Sequence, residues 1–305
     1  MKISAFTMCR NAQKLYYPIE ESIRSALPLV DEFVVVIGKG DDDDGTLEIV
    51  RGINSPKLRI VESDWDVVSF PNGTVHAQQT DLAKSQCTGD WLLYLQADEL
   101  IHEEDIPVIR AHCEQYLEGN RIEGFLFQYL HFWGDYHHLV ASHGWYPKEI
   151  RMIRNLDSIH SWESAQSFRV IPAFDGKSYR TKKGTRKLNV IELPCRIFHY
   201  GWVRPPERMT EKMNRLDQIH SHTEKRYLGP FDFGDPASCI RFQGEHPVAI
   251  KGRIAEMHWN PWIRPNGKRP KHKHEQWKNR VLTWIEKNIL GGRQVFAFQN
   301  YNKLN

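Results

Sequence analysis

Two adjacent acids, Asp98 and Glu99, follow the apolar run Trp91-Leu92-Leu93-Tyr94-Leu95 after the short link Gln96-Ala97. A run that short, opened by Thr88-Gly89-Asp90 and closed by acids, reads as a buried strand of a parallel sheet. Ligands of open α/β sheets sit beyond the carboxyl ends of the strands, so chemistry is expected here. The carboxylates could hold a hard divalent cation, and the cation a diphosphate. The plainer alternative is that they cap a following helix. Arg151 and Arg154 alternate on one strand face, where they either grip a diphosphate bidentately or are simply solvated. His199 ends a strand in an aromatic setting, the place of a functional imidazole or of a satisfied core histidine. Trp145, Tyr146, Trp162 and Trp202 could stack on a sugar or base, or be core. His131, His137, His138, His143 and His160 lack i, i+4 helical spacing, and neither HExxH nor a Cys/His ligand pattern occurs, so no zinc site is expected.

The elements that must position these groups alternate in the first hundred residues. Lys2–Met8, Phe33–Ile37, Leu58–Val61 and Trp91–Leu95 read as strands, and Leu15–Leu27, Gly45–Val50 and Thr80–Ser85 as helices. That alternation argues βαβ units and a parallel sheet. No GxGxxG follows the first strand and no GxxxxGK[ST] occurs, so neither a dinucleotide fold nor a P-loop is supported. The second half changes texture. Strands are expected at Gly124–Phe132, Ile150–Arg154 and Arg196–Trp202, a basic hairpin-like stretch at Lys177–Lys187, and helices at Glu207–His220 and Trp277–Ile289. The basic tract Arg264–Arg280 is either a solvated face or a contact for anionic lipid headgroups or nucleic acid.

With 305 residues and a net charge of +3, the chain has room for one large α/β domain with a lobe and does not announce a nucleic-acid binder. Its five cysteines are odd in number, far apart and without a CxxC pair, which suits reduced thiols in a cytoplasmic setting. No run approaches ~20 apolar residues, and the first apolar segment is too short for a signal peptide.

Three segments resemble a family 2 glycosyltransferase of the GT-A fold. Val30-Asp31-Glu32-Phe33-Val34-Val35-Val36 with Asp44-Gly45-Thr46 is similar to that family's second strand and DGT turn. Thr88–Glu99 is similar to its fourth strand and DxD-type motif, with Gln96-Ala97-Asp98-Glu99 where DADE is usual. Cys9-Arg10-Asn11 sits where the family begins its nucleotide pocket. The resemblance implies an α/β fold with a Rossmann-type mixed, mainly parallel sheet flanked by helices. It implies a transferase domain over 1–220 and a C-terminal helical, basic, acceptor-side lobe over 221–305.

It also implies roles. Asp98 and His199 would hold Mg2+ or Mn2+. Thr7, Cys9, Arg10, Asn11, Gly38, Asp44, Gln96 and Arg151 would bind the nucleotide-diphosphate sugar, Gln96 doing with an amide part of what a carboxylate does elsewhere. The four aspartates Asp41–Asp44 either take over a nucleotide contact or form a solvated loop. Inverting transfer needs a general base across the donor sugar from the metal. Glu163, beside Trp162, is the first choice for that base, with Glu149 and Asp135 as rivals. The reaction implied is sugar transfer with inversion to a hydroxyl of a glycan or lipid-linked acceptor, at the inner face of a membrane or free in the cytoplasm, with nucleic acid not expected as a partner. Two other readings stay open: a nucleotidyltransferase, and a sugar-nucleotide or nucleic-acid binding module that has lost catalysis.

Overall fold

A computed structural model of the chain describes residues 1–119, 121–221, 227–263, 269, 271–291, 294 and 299–304. Of the basic tract, Arg264 and Lys268 therefore lie outside the described residues. The first half builds strands β1 (Ile3–Cys9), β2 (Glu32–Gly38), β3 (Leu58–Ser63), β4 (Trp91–Tyr94) and β5 (Glu99–Ile101). Helices α1 (Ile19–Ala26), α2 (Thr46–Gly52), α3 (Thr74–Ser85) and α4 (Ile106–Gln115) are interspersed. The second half contributes β6 (Gly124–Trp133), β7 (His138–Val140), β8 (Lys148–Arg154), β9 (Ile159–Trp162), β10 (Ser167–Val170), β11 (Arg186–Trp202), β12 (Ile240–Arg241) and β13 (Tyr301–Lys303). Helices α5 (Pro206–Ser221), α6 (Lys251–Ala255) and α7 (Trp277–Asn288) complete it.

One mixed sheet runs β3-β2-β1-β4-β8-β6-β11-β10-β9. Its first four strands are parallel, as the helix–strand alternation expects, and β4 then meets β8 antiparallel. The β-branched run Phe33–Ile37 is buried on both sides because two separate cores cover the sheet. One holds Ile23, Phe33 and Val35 and the other Phe6, Val34 and Leu92. The chain is thus of mixed α/β class, its parallel strands all aimed toward one edge.

Several boundaries differ from the sequence reading for local reasons. Helix α1 begins at Ile19 instead of Leu15 because Pro18 disfavours α conformation at Tyr17, and Tyr16 is left-handed at φ 61°. Helix α3 starts six residues early, at Thr74, where left-handed Asn72 and Gly73 form the turn into it. The stretch after Lys187 is one long strand, β11, in which Pro194 coincides with a register shift against β6 between Glu192 and Arg196. The polar chain end adds β13 beside β11, and β12 pairs with β7.

Candidate active site

The apolar strand β4 ends at Tyr94, and the chain turns through Gln96 to Asp98 before β5. Strand β5 runs antiparallel to the end of β11, with Glu99 opposite His199, and Tyr200 N–H donates to the Asp98 carbonyl at 2.8 Å. Backbone pairing thereby brings two residues a hundred positions apart into one site. Asp98 Oδ1 lies 3.9 Å from His199 Nε2, and Asp98 Oδ2 lies 3.5 Å from the Lys212 ammonium on α5. Lys212 also donates to the Gly201 carbonyl at 2.7 Å.

Protonation follows from the hydrogen bonds. His131 Nε2 lies 2.8 Å from the Tyr146 carbonyl, an acceptor, so this nitrogen carries the proton. Burial pulls the His131 pKa down to about 3, aided by His199, so the ring is neutral and its Nδ1 accepts. The partner at 2.9 Å is His199 Nδ1, which therefore donates. Burial lowers the His199 pKa as well, so its Nε2 presents a bare lone pair to Asp98. Burial alone would raise the Asp98 pKa, but the cationic Lys212 and Arg204 outweigh it and hold this carboxyl below the usual carboxylate range. Two acceptors thus face each other with no proton between them, an arrangement that a cation fits. Gly201 is required beside them: a Cβ there would come within 2.5 Å of His199 Nε2 and 2.8 Å of Asp98 Oδ2. The Asp98 carboxylate is the ligand type that Mg2+ or Mn2+ prefers, with the His199 imidazole as a nitrogen donor beside it. Among the described residues no cluster of three or more His, Cys, Asp or Glu side chains forms a metal cage.

Asp98, His199 and Lys212 line a cavity of about 450 Å3 that also includes Cys9, Arg10, Asn11, Trp65, Gln96 and Arg215. Strand β1 delivers the first three at its carboxyl end. The Cys9 thiol is pushed up to about 12 by burial, so it offers a neutral wall. Arg10 lies 5.7 Å from the Trp65 ring, and its buried Nε has no partner, as is also true of Thr7 Oγ1 and Trp65 Nε1. Gly38 does not line the cavity; it seats Trp65, whose indole would lie 2.2 Å from a Cβ at that position. Asp44 does not line it either, accepting from Lys14 N at 3.1 Å and Thr46 N at 3.3 Å. Asp41 does not line it directly but meets two residues that do, Asn11 and Arg215, and also Lys14. Lys14 is thus an ion-pair partner, and Lys84 is buried with its ammonium on the Leu156 carbonyl at 3.0 Å.

Arg151 and Glu163 stand apart from this cavity. The Arg151 guanidinium is fully buried and spends itself on Glu99, Nε to Oε2 at 2.7 Å and Nη2 to Oε1 at 2.8 Å. Glu99 also accepts from Tyr129 Oη at 2.7 Å and Gln96 N at 3.0 Å. This pair is a strut that fixes the turn carrying Asp98. Gln96 donates to the Ala165 carbonyl at 3.0 Å and so ties that turn to the β9–β10 connection. Glu163 sits in that connection in a left-handed conformation, φ 56°, with its N–H on the Tyr179 carbonyl, and it is Ser164 that reaches the cavity.

A second cavity, of about 610 Å3, shares His199 with the first. Its walls include Trp133, Trp145, Trp202, His274 and Glu149. Ser167 Oγ and Ile150 N donate to Glu149 Oε1 at 2.8 and 3.0 Å, and burial raises the pKa of this carboxyl. Trp145 Nε1 and both ring nitrogens of His274 are buried without partners. Sequence reasoning missed Lys212 and Arg215, although Lys212, Arg215, Leu216 and Ile219 keep the i, i+3, i+4, i+7 spacing of one helix face. Trp65 gave no signal, because only the fold brings it over Gly38.

No family model matches the chain, and no curated protein matches it. Among solved structures, Staphylococcus aureus TarS residues 1–349 is 18% identical over 73% of this chain and 67% of that one, with a TM-score of 0.39. The chain spans only 41% of a longer TarS structure. The mannosyltransferase PcManGT from Pyrobaculum calidifontis, solved with GDP-Man and Mn2+, is 20% identical over 43% of this chain and 36% of that one, TM-score 0.32. Glucosyl-3-phosphoglycerate synthase from Mycobacterium tuberculosis, solved with Mn2+, UDP and glucosyl-3-phosphoglycerate, is 20% identical over 44% and 45%, TM-score 0.30.

Proposed function

We propose that the chain is an inverting glycosyltransferase that moves a sugar from a nucleotide-diphosphate donor in the first cavity to a hydroxyl acceptor in the second. The observation that carries this reading is the meeting of the two cavities at His199, with a cation-demanding Asp98–His199 pair on the donor side and a buried carboxyl, Glu149, on the other. Trp65 and Arg10 offer a platform for the base, and their unpartnered nitrogens supply donors for a polar ligand, whereas Thr7 does not line the cavity. Asp98 and His199 would hold Mg2+ or Mn2+, which when bound supplies positive charge to the departing diphosphate. Lys212 and Arg215 add cationic groups to the same wall. Glu149 takes the proton of the acceptor hydroxyl as it attacks the anomeric carbon from the face opposite the diphosphate; its burial-raised pKa makes it a stronger base than a solvated carboxylate. Glu163, outside both cavities, is replaced in that role by its rival. The second cavity's tryptophans favour an acceptor presenting a sugar ring, whether a glycan or a lipid-linked saccharide. The test is release of nucleoside diphosphate from a panel of UDP-, GDP-, dTDP- and CDP-sugars with Mn2+ and a mixture of saccharide acceptors. Acceptor-stimulated release from one donor supports the reading; release from none sinks it.

A further inference from the structure

Helix α7 carries a face that nothing in the catalytic reading uses. On a helix of 3.6 residues per turn, Trp277, Val281, Trp284 and Asn288 fall within an arc of roughly 60°. Their exposure is high for apolar groups: 75% for Trp277, 47% for Val281 and 60% for Trp284. Ile289, at 63%, extends the stripe past the end of the helix. The buried Glu286 lies about half a turn round from the tryptophans. It is held there by His143 Nδ1 at 2.8 Å, while His143 N–H donates to Thr283 Oγ1 at 2.8 Å. The helix is therefore pinned by its polar side and turns its apolar side outward, the reverse of a helix packed on a core.

The charges around the stripe are of one sign. Lys278 flanks it on one edge, Arg280 and Lys287 on the other, and Lys271 and Lys273 precede the helix; all five are exposed. The two acids of this segment are not: Glu286 is buried and Glu275 is taken by Arg269 at 2.6 Å. Tryptophans at the centre of a face rimmed by lysine and arginine fit the boundary between headgroups and acyl chains of an anionic bilayer. A second protein would have to bring its own acids to each edge, whereas an anionic lipid surface supplies negative charge on all sides at once. No helix among the described residues is long and apolar enough to cross a membrane, so the contact would lie in the interface plane.

We infer that α7 is a membrane-docking helix that lies on anionic phospholipid with Trp277, Val281 and Trp284 inserted. His143, which holds the buried side of the helix, also lines the second cavity, so α7 joins that cavity to the docking face. The inference stands on α7 alone and survives if sugar transfer is disproved.

The test is co-sedimentation of the full chain with vesicles of phosphatidylglycerol mixed with phosphatidylcholine, against vesicles of phosphatidylcholine only. Binding is expected to the first and not to the second, and to weaken with salt. The Trp277→Ser/Trp284→Ser variant should lose it. Lys278→Glu/Arg280→Glu should weaken it by at least twenty-fivefold, at about fivefold per cation lost. Both variants should keep the wild-type melting temperature, since the changed side chains are exposed. Equal binding to both vesicle types, or none to either, overturns the inference. So does self-association of the lipid-free chain that the tryptophan variant abolishes, which would assign the face to a second copy.

Discussion

Replacing Arg151 separates two accounts of the same residue. If it gripped the donor diphosphate, Arg151→Met would fold normally and bind nucleotide poorly. The structure makes it a strut instead, with both of its charge-assisted bonds on Glu99 and neither group exposed to water. Removing the guanidinium leaves a buried carboxylate with only the Tyr129 hydroxyl and the Gln96 N–H as donors. Breaking a buried pair from one side costs about 3–5 kcal/mol. At roughly 2–4 °C per kcal/mol for a large domain, the melting temperature should fall by about 6–20 °C. Met at 151 with Gln at 99 removes both charges together and should recover much of the loss, giving a coupling of about 2–3 kcal/mol. The assay is thermal unfolding of the two single variants and the double. An Arg151→Met protein that melts at the wild-type temperature but binds nucleotide sugars at least tenfold more weakly would refute the strut and restore the diphosphate grip.

Three further outcomes follow from the same geometry. Glu149→Gln should lower kcat by about 10²–10⁴-fold while Glu163→Gln changes it little; the opposite ranking in a transfer assay would move the base to the β9–β10 turn. His131→Phe removes the acceptor that fixes the His199 tautomer, so Mn2+ affinity measured by calorimetry should drop about 10–100-fold, and an unchanged affinity would reject the relay. Stability should fall on acidification: burial lowers His131 to about 3 and His76, His246 and His274 each to about 4. Unfolded imidazoles take up protons near pH 6.5 and these folded ones do not, so the unfolded chain binds more protons from about pH 6.5 down to about 4 and gains on the native state throughout that window. A melting temperature that stays level or rises between about pH 7 and 4 would contradict the buried neutral histidines.

Much of the donor half is readable from sequence because its information is local. Periodic runs such as Phe33–Ile37 name their own strands, and the abrupt close of Trp91–Leu95 on Asp98 marks where the sheet opens to a ligand. What the sequence does not carry is pairing at a distance. Arg151 alternates with Arg154 on one strand in the way that diphosphate-gripping arginines would, and only the packing of β8 near the turn before β5 reveals Glu99 as its partner. Gly38 earns its place through Trp65, twenty-seven residues on, and the Asp98–His199 geometry depends on β5 meeting β11. Helix α5 is legible as a helix, but its charge-rich composition hides that Lys212 points inward to Asp98 and has its pKa pulled down to about 7 by burial and by Arg204. Pro194 hides β11 in the same way, since a proline normally argues against a long strand.

The central claim is that the Asp98–His199 pair holds a nucleotide-diphosphate sugar through a divalent cation. It is tested by the melting temperature of the wild type and of Asp98→Ala, each titrated with the nucleotide sugars, with Mn2+ or with EDTA. At ~100 times its dissociation constant the right donor adds about 2.7 kcal/mol, a rise of several degrees. That rise should require Mn2+ and should vanish in the Asp98→Ala protein while its unliganded melting remains cooperative. A rise that persists in EDTA or in Asp98→Ala, or no rise with any donor, would contradict it.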